Sequence, residues 1–394
     1  MNDSLYTRRV LAWKEKNRNC SNDTIRSVHH LQIKWKHFLV FGILLIASTV
    51  QAQSSVTLYG VISDGLLFAN NVNGAHLTRL VNGGSWSTNF GMTGTEDLGG
   101  GTKAIFNLNS TYDLNTGRTA GTDTLFGGSS FVGITNDSYG TVKLGRQYDY
   151  SVDFIAYSVT SSNTLFAFHP GGYDRILGVS LANAVSYESP RVAGFHVKAM
   201  YSFGSAGSPT NSRRAYSAAG DYANGPLNLE VFTTSVGGNS ITPGLDAGLA
   251  NFLGRSLVVD RSLVIALRKT DIYGVGGSFD IGNFTIRSNA TKVFFTDSEG
   301  KNKSSISNIE ASVLFKVHPD LFINTGFVHS YTTGANWNTY DLSVDYLLSK
   351  RTDLMIAVNY QRASGSGQLA NLVAVGNSSN SNQLAIFSGI RYFF

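Results

Sequence analysis

Cysteine is almost missing from this 394-residue chain, with Cys20 the only one. No internal disulfide can form, and no cysteine–histidine zinc spacing exists. Proline is nearly as scarce at 6 residues, and charged residues make up only 14%. Repeated apolar runs of about 20 residues, which helical membrane spans require, are lacking too, and mean hydropathy is −0.03. A disulfide-stapled domain and a polytopic helical membrane protein are therefore excluded. No G-x-S-x-G, H-E-x-x-H or Walker-type segment occurs, so the common signatures of hydrolases, zincins and nucleotide-binding proteins are absent. No cofactor or metal is expected. What is abundant is Gly (42), Phe (24) and Tyr (18), with Asn, Ser and Thr throughout. Aromatics and Thr favour strands, while Gly and Asn favour tight turns.

One short apolar run, Phe38 to Ala47, follows "KWKH" and precedes "STVQA". A basic region, ten apolar residues and the small-x-small ending Val50-Gln51-Ala52 match a secretory signal peptide cleaved after Ala52. The expected division is residues 1–52 as an N-terminal extension plus signal, and 53–394 as the exported domain. Residues 1–52 carry 8 Lys/Arg and 3 Asp/Glu, so of 31 basic and 26 acidic residues the exported part keeps 23 of each. The basic pI of 9.1 belongs to the leader and gives no reason to expect nucleic acid as a partner. Cys20 leaves with it.

From Val56 onward the chain alternates. Tyr340, Leu342, Val344, Tyr346 and Leu348 interleave with Asp341, Ser343 and Asp345; Leu354, Ile356, Val358 and Tyr360 interleave with Met355, Ala357, Asn359 and Gln361. A period of two with one apolar face predicts half-buried strands. Short turn signals recur at "EDLGGG", "NDSYG", "SPRVAG", "ANGP", "DIGN", "VHPD" and "SKRTD". Longer polar stretches lie between them, around 69–85, 114–128, 147–180, 204–215, 235–269, 296–304, 332–337 and 363–382. Seven short turns and eight long loops imply sixteen strands, an even number with short connections at one end, as in outer-membrane barrels. In hydrocarbon every backbone polar group needs an internal partner, so a strand-rich exported chain spans only as a closed barrel. Sixteen strands leave a lumen too wide for side chains to fill. The expected fold is all-β, a 16-stranded antiparallel transmembrane β-barrel around an aqueous channel.

The stretches "SSVTLYGVISDG", "GTEDLGGGTKAIFNL", "GTVKLGRQYD", "NAVSYESPRVAGF", "GPLNLEVF", "DYLLSKRTDL" and "GIRYFF" together resemble the general diffusion porins of Gram-negative bacteria, especially the betaproteobacterial branch. That resemblance implies a homotrimer in the cell outer membrane, a third loop folded into the barrel, and passive flow of ions and small hydrophilic solutes. It also implies lipid, lipopolysaccharide and the barrel-insertion machinery as partners. Loop 3 corresponds to 147–180, with Asp149, Asp153 and Asp174 as its carboxylates. Arg146 matches a basic wall residue, although strict alternation puts it on the parity of Val142 and Leu144, so a bulge or strand end must re-aim it. Arg175 and Lys103 are the other remaining bases, Glu188 a further lumenal candidate. Where the family carries wall bases, this chain has Asn89, Thr93, Gly128 and Ser186. A constriction of Arg146, Asp149, Asp153, Asp174, Arg175, Glu188, Lys103 and Asn89 with a depleted basic wall predicts weak selectivity leaning to cations.

Other functions compatible with the same barrel are a substrate-specific channel, a surface adhesin and, less favoured, an outer-membrane hydrolase assembled from separate strands. The segment ending in "RSLVVDRSLVIALRKT" is apolar and basic together; it fits an extra strand, a cap over the pore, or a contact with lipopolysaccharide phosphates. Counting back from the C-terminus, Phe394, Tyr392 and Ile390 share a parity. That stripe is expected to face lipid, with Tyr392 and Phe394 in the inner aromatic girdle closing the barrel against "VTLYG" and serving as an assembly signal.

Overall fold

The computed structural model describes residues 55–120, 124–159, 165–204 and 214–394. The expected signal segment and cleavage point lie outside the described residues. Sixteen strands form the wall. They are β1 (Ser55–Val72), β2 (Asn89–Gly99), β3 (Thr102–Thr111) and β4 (Ser129–Asn136). Next come β5 (Gly140–Tyr148), β6 (Ser180–Glu188), β7 (Phe195–Ser202) and β8 (Ala215–Asn224). The far side is built from β9 (Leu227–Gly237), β10 (Ile265–Ile281), β11 (Phe284–Asp297) and β12 (Lys303–His318). Then β13 (Leu321–Thr332), β14 (Ala335–Leu347), β15 (Thr352–Ser364) and β16 (Asn382–Phe393) complete it.

Every neighbouring pair is antiparallel, and β16 pairs with both β15 and β1, Val61 facing Phe393 and Ala69 facing Ala385. No wall edge is left open, as a lipid environment demands. Alternation runs apolar-out, polar-in. Tyr340, Leu342, Leu354 and Ile356 are exposed on the outside, while Asp341, Ser343, Asn359 and Gln361 are buried within. A sheet sandwich would show the reverse. Among the described residues no helix is long and apolar enough to cross a membrane.

The eight outer connections, L1 to L8 in chain order, differ in ways that composition does not reveal. L7 shrinks to the hairpin Thr333-Gly334 between β13 and β14. The polar run 332–337 is thus mostly strand, its Asn and Trp belonging to β14. L5 is not a free solvated loop. It contains a turn of helix, α1 (Pro243–Asp246), and a two-residue ladder between Asn251–Phe252 and Arg255–Ser256. Asn371 and Asn377 of L8 donate to the carbonyls of Leu245 and Gly244 at 2.6 and 2.8 Å. Arg261, one of the bases considered for lipopolysaccharide, instead donates to the carbonyls of Gly248, Leu249 and Gly367. L5 and L8 thereby form one capping unit at the outer mouth.

Candidate functional site: the constricted lumen

L3 leaves β5 at Tyr148 and rejoins the wall at Ser180. Asp149 caps its first turn, accepting from the Ser151 backbone N–H, and a 3-10 helix follows over Tyr150–Tyr157. The helix lies against the inner wall. Phe154 meets Phe232 of β9 edge-on at 4.4 Å, over Gly274 and Gly276 of β10. Val159 sits over Gly326 of β13, where a Cβ would come within 2.3 Å of its methyl group. Asn289 and Asn324 donate to the carbonyls of Tyr157 and Val159, both at 3.1 Å. Further on, buried Phe166 packs on Phe387 of β16 with Leu67, Met355 and Leu372. L3 therefore crosses the lumen, held by a wall whose glycines make room for it. Gly326→Leu is expected to unseat this stretch and raise single-channel conductance in a heat-stable barrel; unchanged conductance would show that the contact does not hold L3.

The loop's three carboxylates are all paired. Arg175 Nε donates to Asp149 at 2.5 Å. Asp174 bonds to His169 Nδ1 and accepts from Thr291 of β11 at 2.7 Å. Asp153 reaches Lys198 of β7 at 2.5 Å, and Lys198 Nζ also stands 3.2 Å from Glu230 and 3.7 Å from Asp221. Asp221 in turn pairs with Arg191 and His196. Loop carboxylates facing few bases is thus not what the fold presents. Lys198 supplies a base that the sequence motifs did not mark; its pairing with Asp153 depends on β7 lying against the L3 helix.

The opposite side of the lumen is wetter. Tyr59, Thr93, Asn107, Phe131 and Lys143 face inward and are only partly buried. Tyr59, Asn107 and Asn109 share hydrogen bonds there. A wide barrel narrowed by an inserted loop, with a polar half left accessible, is a water-filled passage.

Comparison with known proteins agrees with this geometry. A family model for Gram-negative porins matches residues 39–366. The chain belongs to this porin family. An outer membrane porin of Bordetella pertussis is 28% identical over 379 residues, covering 84% of this chain and 94% of its own. Outer membrane porin protein 32 of Delftia acidovorans is 30% identical over 223 residues, 52% of this chain and 61% of its own. Among solved structures, the anion-selective porin from Comamonas acidovorans superposes with a TM-score of 0.70 at 21% identity, covering 87% of this chain and all of that one. This porin is an outer-membrane channel for passive diffusion.

The residues anticipated for its constriction fall in distinct places. Asp149, Asp153, Asp174 and Arg175 come together in L3. Glu188 stands in register with Lys198 and bonds to Lys143 at 2.6 Å. Lys103 lies on the same inward row, through Thr135 and Thr141, with no carboxylate within ion-pair distance among the described residues. Asn89 accepts from Asn109 at 3.1 Å in the polar half. Arg146 pairs with Ser130 on the parity of Val142 and Leu144, at the outer end of β5. The β5–β6 register slips there, between Gly145 and Gln147, and Arg146 Nε donates to the Gly127 carbonyl of L2. Lys143, Lys198 and His169 were not anticipated; a Lys on the polar parity next to a short turn is the signal that would have found the first two.

The buried His169–Asp174 contact leads us to expect a pH response of this porin. Burial alone would lower its pKa, but the carboxylates of Asp174 and Glu310 raise it to about 10. Burial would raise Asp174, and the facing imidazolium with its hydrogen bonds lowers it instead. Against ordinary values of 6.5 and 3.8, the pair's contribution to L3 docking is complete between those limits. It declines as pH rises from 6.5 toward 10, and at acid pH it is lost as Asp174 protonates below its lowered value. Open-channel noise is expected to grow above neutral pH, and His169→Gln to remove that dependence. Noise that grows between pH 6.5 and 4 instead would contradict the pairing.

Proposed function

We propose that this porin is a general diffusion channel with weak selectivity leaning to cations, working as a homotrimer exported by a signal peptide cleaved after Ala52. The observation carrying the reading is the accessible polar half of the lumen beside L3, whose own carboxylates are neutralised by neighbouring bases. Around Lys198 three carboxylates, Asp153, Asp221 and Glu230, gather against Lys198, Arg191 and His196, so this cluster carries no surplus of fixed positive charge that would favour anions. We assign the channel no catalytic role, on its membership of the porin family. A solved neighbour from Vibrio cholerae is described in a trimer form, with a TM-score of 0.61. The apolar outer belt is where lipid, lipopolysaccharide and partner barrels would meet this chain, and the insertion machinery would receive it before closure.

Single-channel recording in a planar bilayer, with reversal potentials in a KCl gradient, tests the reading. Ohmic conductance with a modest potassium preference is expected. Absence of conductance would remove the channel function, and strong chloride preference would overturn the selectivity. Heat-dissociable high-mass bands on unheated gels would support the trimer.

A further inference from the structure

A cavity of about 370 Å³ opens between the return limb of L3 and the stem of L5, apart from the main passage beside β1–β5. Its floor is Gly171-Gly172, both at positive φ (72° and 58°), where a Cβ would meet Tyr173 at 2.3 Å and Leu177 at 2.6 Å. Tyr173 and Phe295 cross edge-to-face at 5.4 Å along one side, and Ile241 lies on another. Two opposite charges enter from different loops. Arg175 comes from L3 and Asp246 from L5.

Both are held from behind. Arg175 is a non-glycine residue at φ 64°, a conformation that costs free energy and persists where the surroundings impose it. Its Nε goes to Asp149 and its Nη2 to the Val179 carbonyl at 3.1 Å; among the described residues Nη1 has no partner. Asp246 Oδ1 accepts from Thr242 Oγ1 at 2.8 Å, while Oδ2 accepts from the Thr242 N–H at 2.9 Å and from Tyr173 at 3.2 Å. A carboxylate oxygen accepts two hydrogen bonds, so Oδ1 keeps one site open.

We propose that this cavity is a vestibule subsite for small zwitterionic solutes with an apolar side chain, free amino acids being the class it fits. The inference rests on the channel reading for its physiological meaning. The solute carboxylate takes Arg175 through a charge-assisted bond. Its ammonium group takes Asp246 beside the Tyr173 ring, and its side chain covers Tyr173 and Ile241. The volume lies at the small end of ligand cavities, which run from about 300 to 1,000 Å³. That suits a single amino acid better than a peptide.

Titration calorimetry of the detergent-solubilised protein with L-phenylalanine tests this without depending on conduction. Saturable binding is expected, with phenylacetate and phenethylamine at least about tenfold weaker because each satisfies only one charge. Ser240→Trp, at the exposed rim, should abolish binding by filling the cavity, and Asp246→Asn should weaken it about tenfold. The absence of saturable heat, equal binding of the three probes, or unchanged binding in Ser240→Trp would each overturn the subsite. Conductance, recorded separately, keeps its failure distinct: a conducting protein that binds no L-phenylalanine lacks the subsite, and a binding protein that does not conduct lacks the channel.

Discussion

Deletion of Phe394 is expected to reduce folded outer-membrane protein more than tenfold while export across the inner membrane continues. The terminal residue completes the seam of the barrel. Its N–H donates to the Gly60 carbonyl at 3.1 Å and its carbonyl accepts from the Gly60 N–H at 3.2 Å. Its ring lies over Gly60, where a Cβ would come within 2.4 Å, and stacks on Tyr392 at 6.4 Å. Losing the residue strips two backbone bonds from the β1–β16 junction and leaves the Gly60 N–H and C=O without those partners. It also bares Gly60 and the neighbouring strand edge during insertion. Phe394→Asp keeps the backbone pairing but sets a carboxylate in the interfacial girdle, so it separates the two contributions. Quantifying the heat-dissociable form in outer-membrane fractions decides between the outcomes. Wild-type yield from the deletion would mean that the seam closes without its last residue.

Lys198→Met should move the permeability ratio further toward cations than any other single wall substitution. Lys198 is the base shared by Asp153, Glu230 and Asp221. At about 10 Å from a permeating ion and an effective dielectric near 20, one charge contributes roughly 1.7 kcal/mol, and salt screens this over about 8–10 Å. A several-fold change in the ratio of potassium to chloride permeability is therefore expected. Removing one partner of a buried pair also costs about 3–5 kcal/mol of local stability, so the L3 helix should loosen and current noise should rise. Lys198→Arg should restore selectivity. Arg146→Ala should have a smaller effect, since its Nε is engaged by Gly127 at the outer end of β5. If the reversal potential of Lys198→Met matches wild type, Lys198 is not the charge that ions sense.

The architecture was legible because lipid simplifies it. Where apolar residues turn outward and polar ones inward, the period of two in 340–348 and 354–361 gave strand and face, and the rhythm of short turns and long loops favoured a barrel that turns the apolar face to lipid. The terminal parity of Phe394, Tyr392 and Ile390 was legible for the same reason, and Tyr392 and Ile390 are exposed on the outer surface. The span 332–337 misled because a lumenal strand face is as polar as a loop, so composition cannot separate the last residues of β13 and the first of β14 from the two residues that turn between them.

The charged site was half legible. Asp149, Asp153, Asp174 and Arg175 lie close in sequence, and the resemblance to porins pointed to 147–180 as the loop that carries them into the lumen. Their partners did not. Lys198 is 45 residues from Asp153, Thr291 is 117 from Asp174, and Glu310 reaches the Val159 N–H across 151 residues.

The sequence by itself determined a closed barrel, its strand number and which side of the strands at 340–348, 354–361 and the C-terminus meets lipid. Those properties follow from local periodicity and from the rule that backbone polar groups must be satisfied in hydrocarbon. Only the tertiary structure decided that L3 lies over Gly274, Gly276 and Gly326, that its acids are neutralised, that L5 and L8 join as a cap, and that Arg175 and Asp246 face one cavity. Each of these depends on contacts between distant segments, which a strand's alternation leaves entirely open.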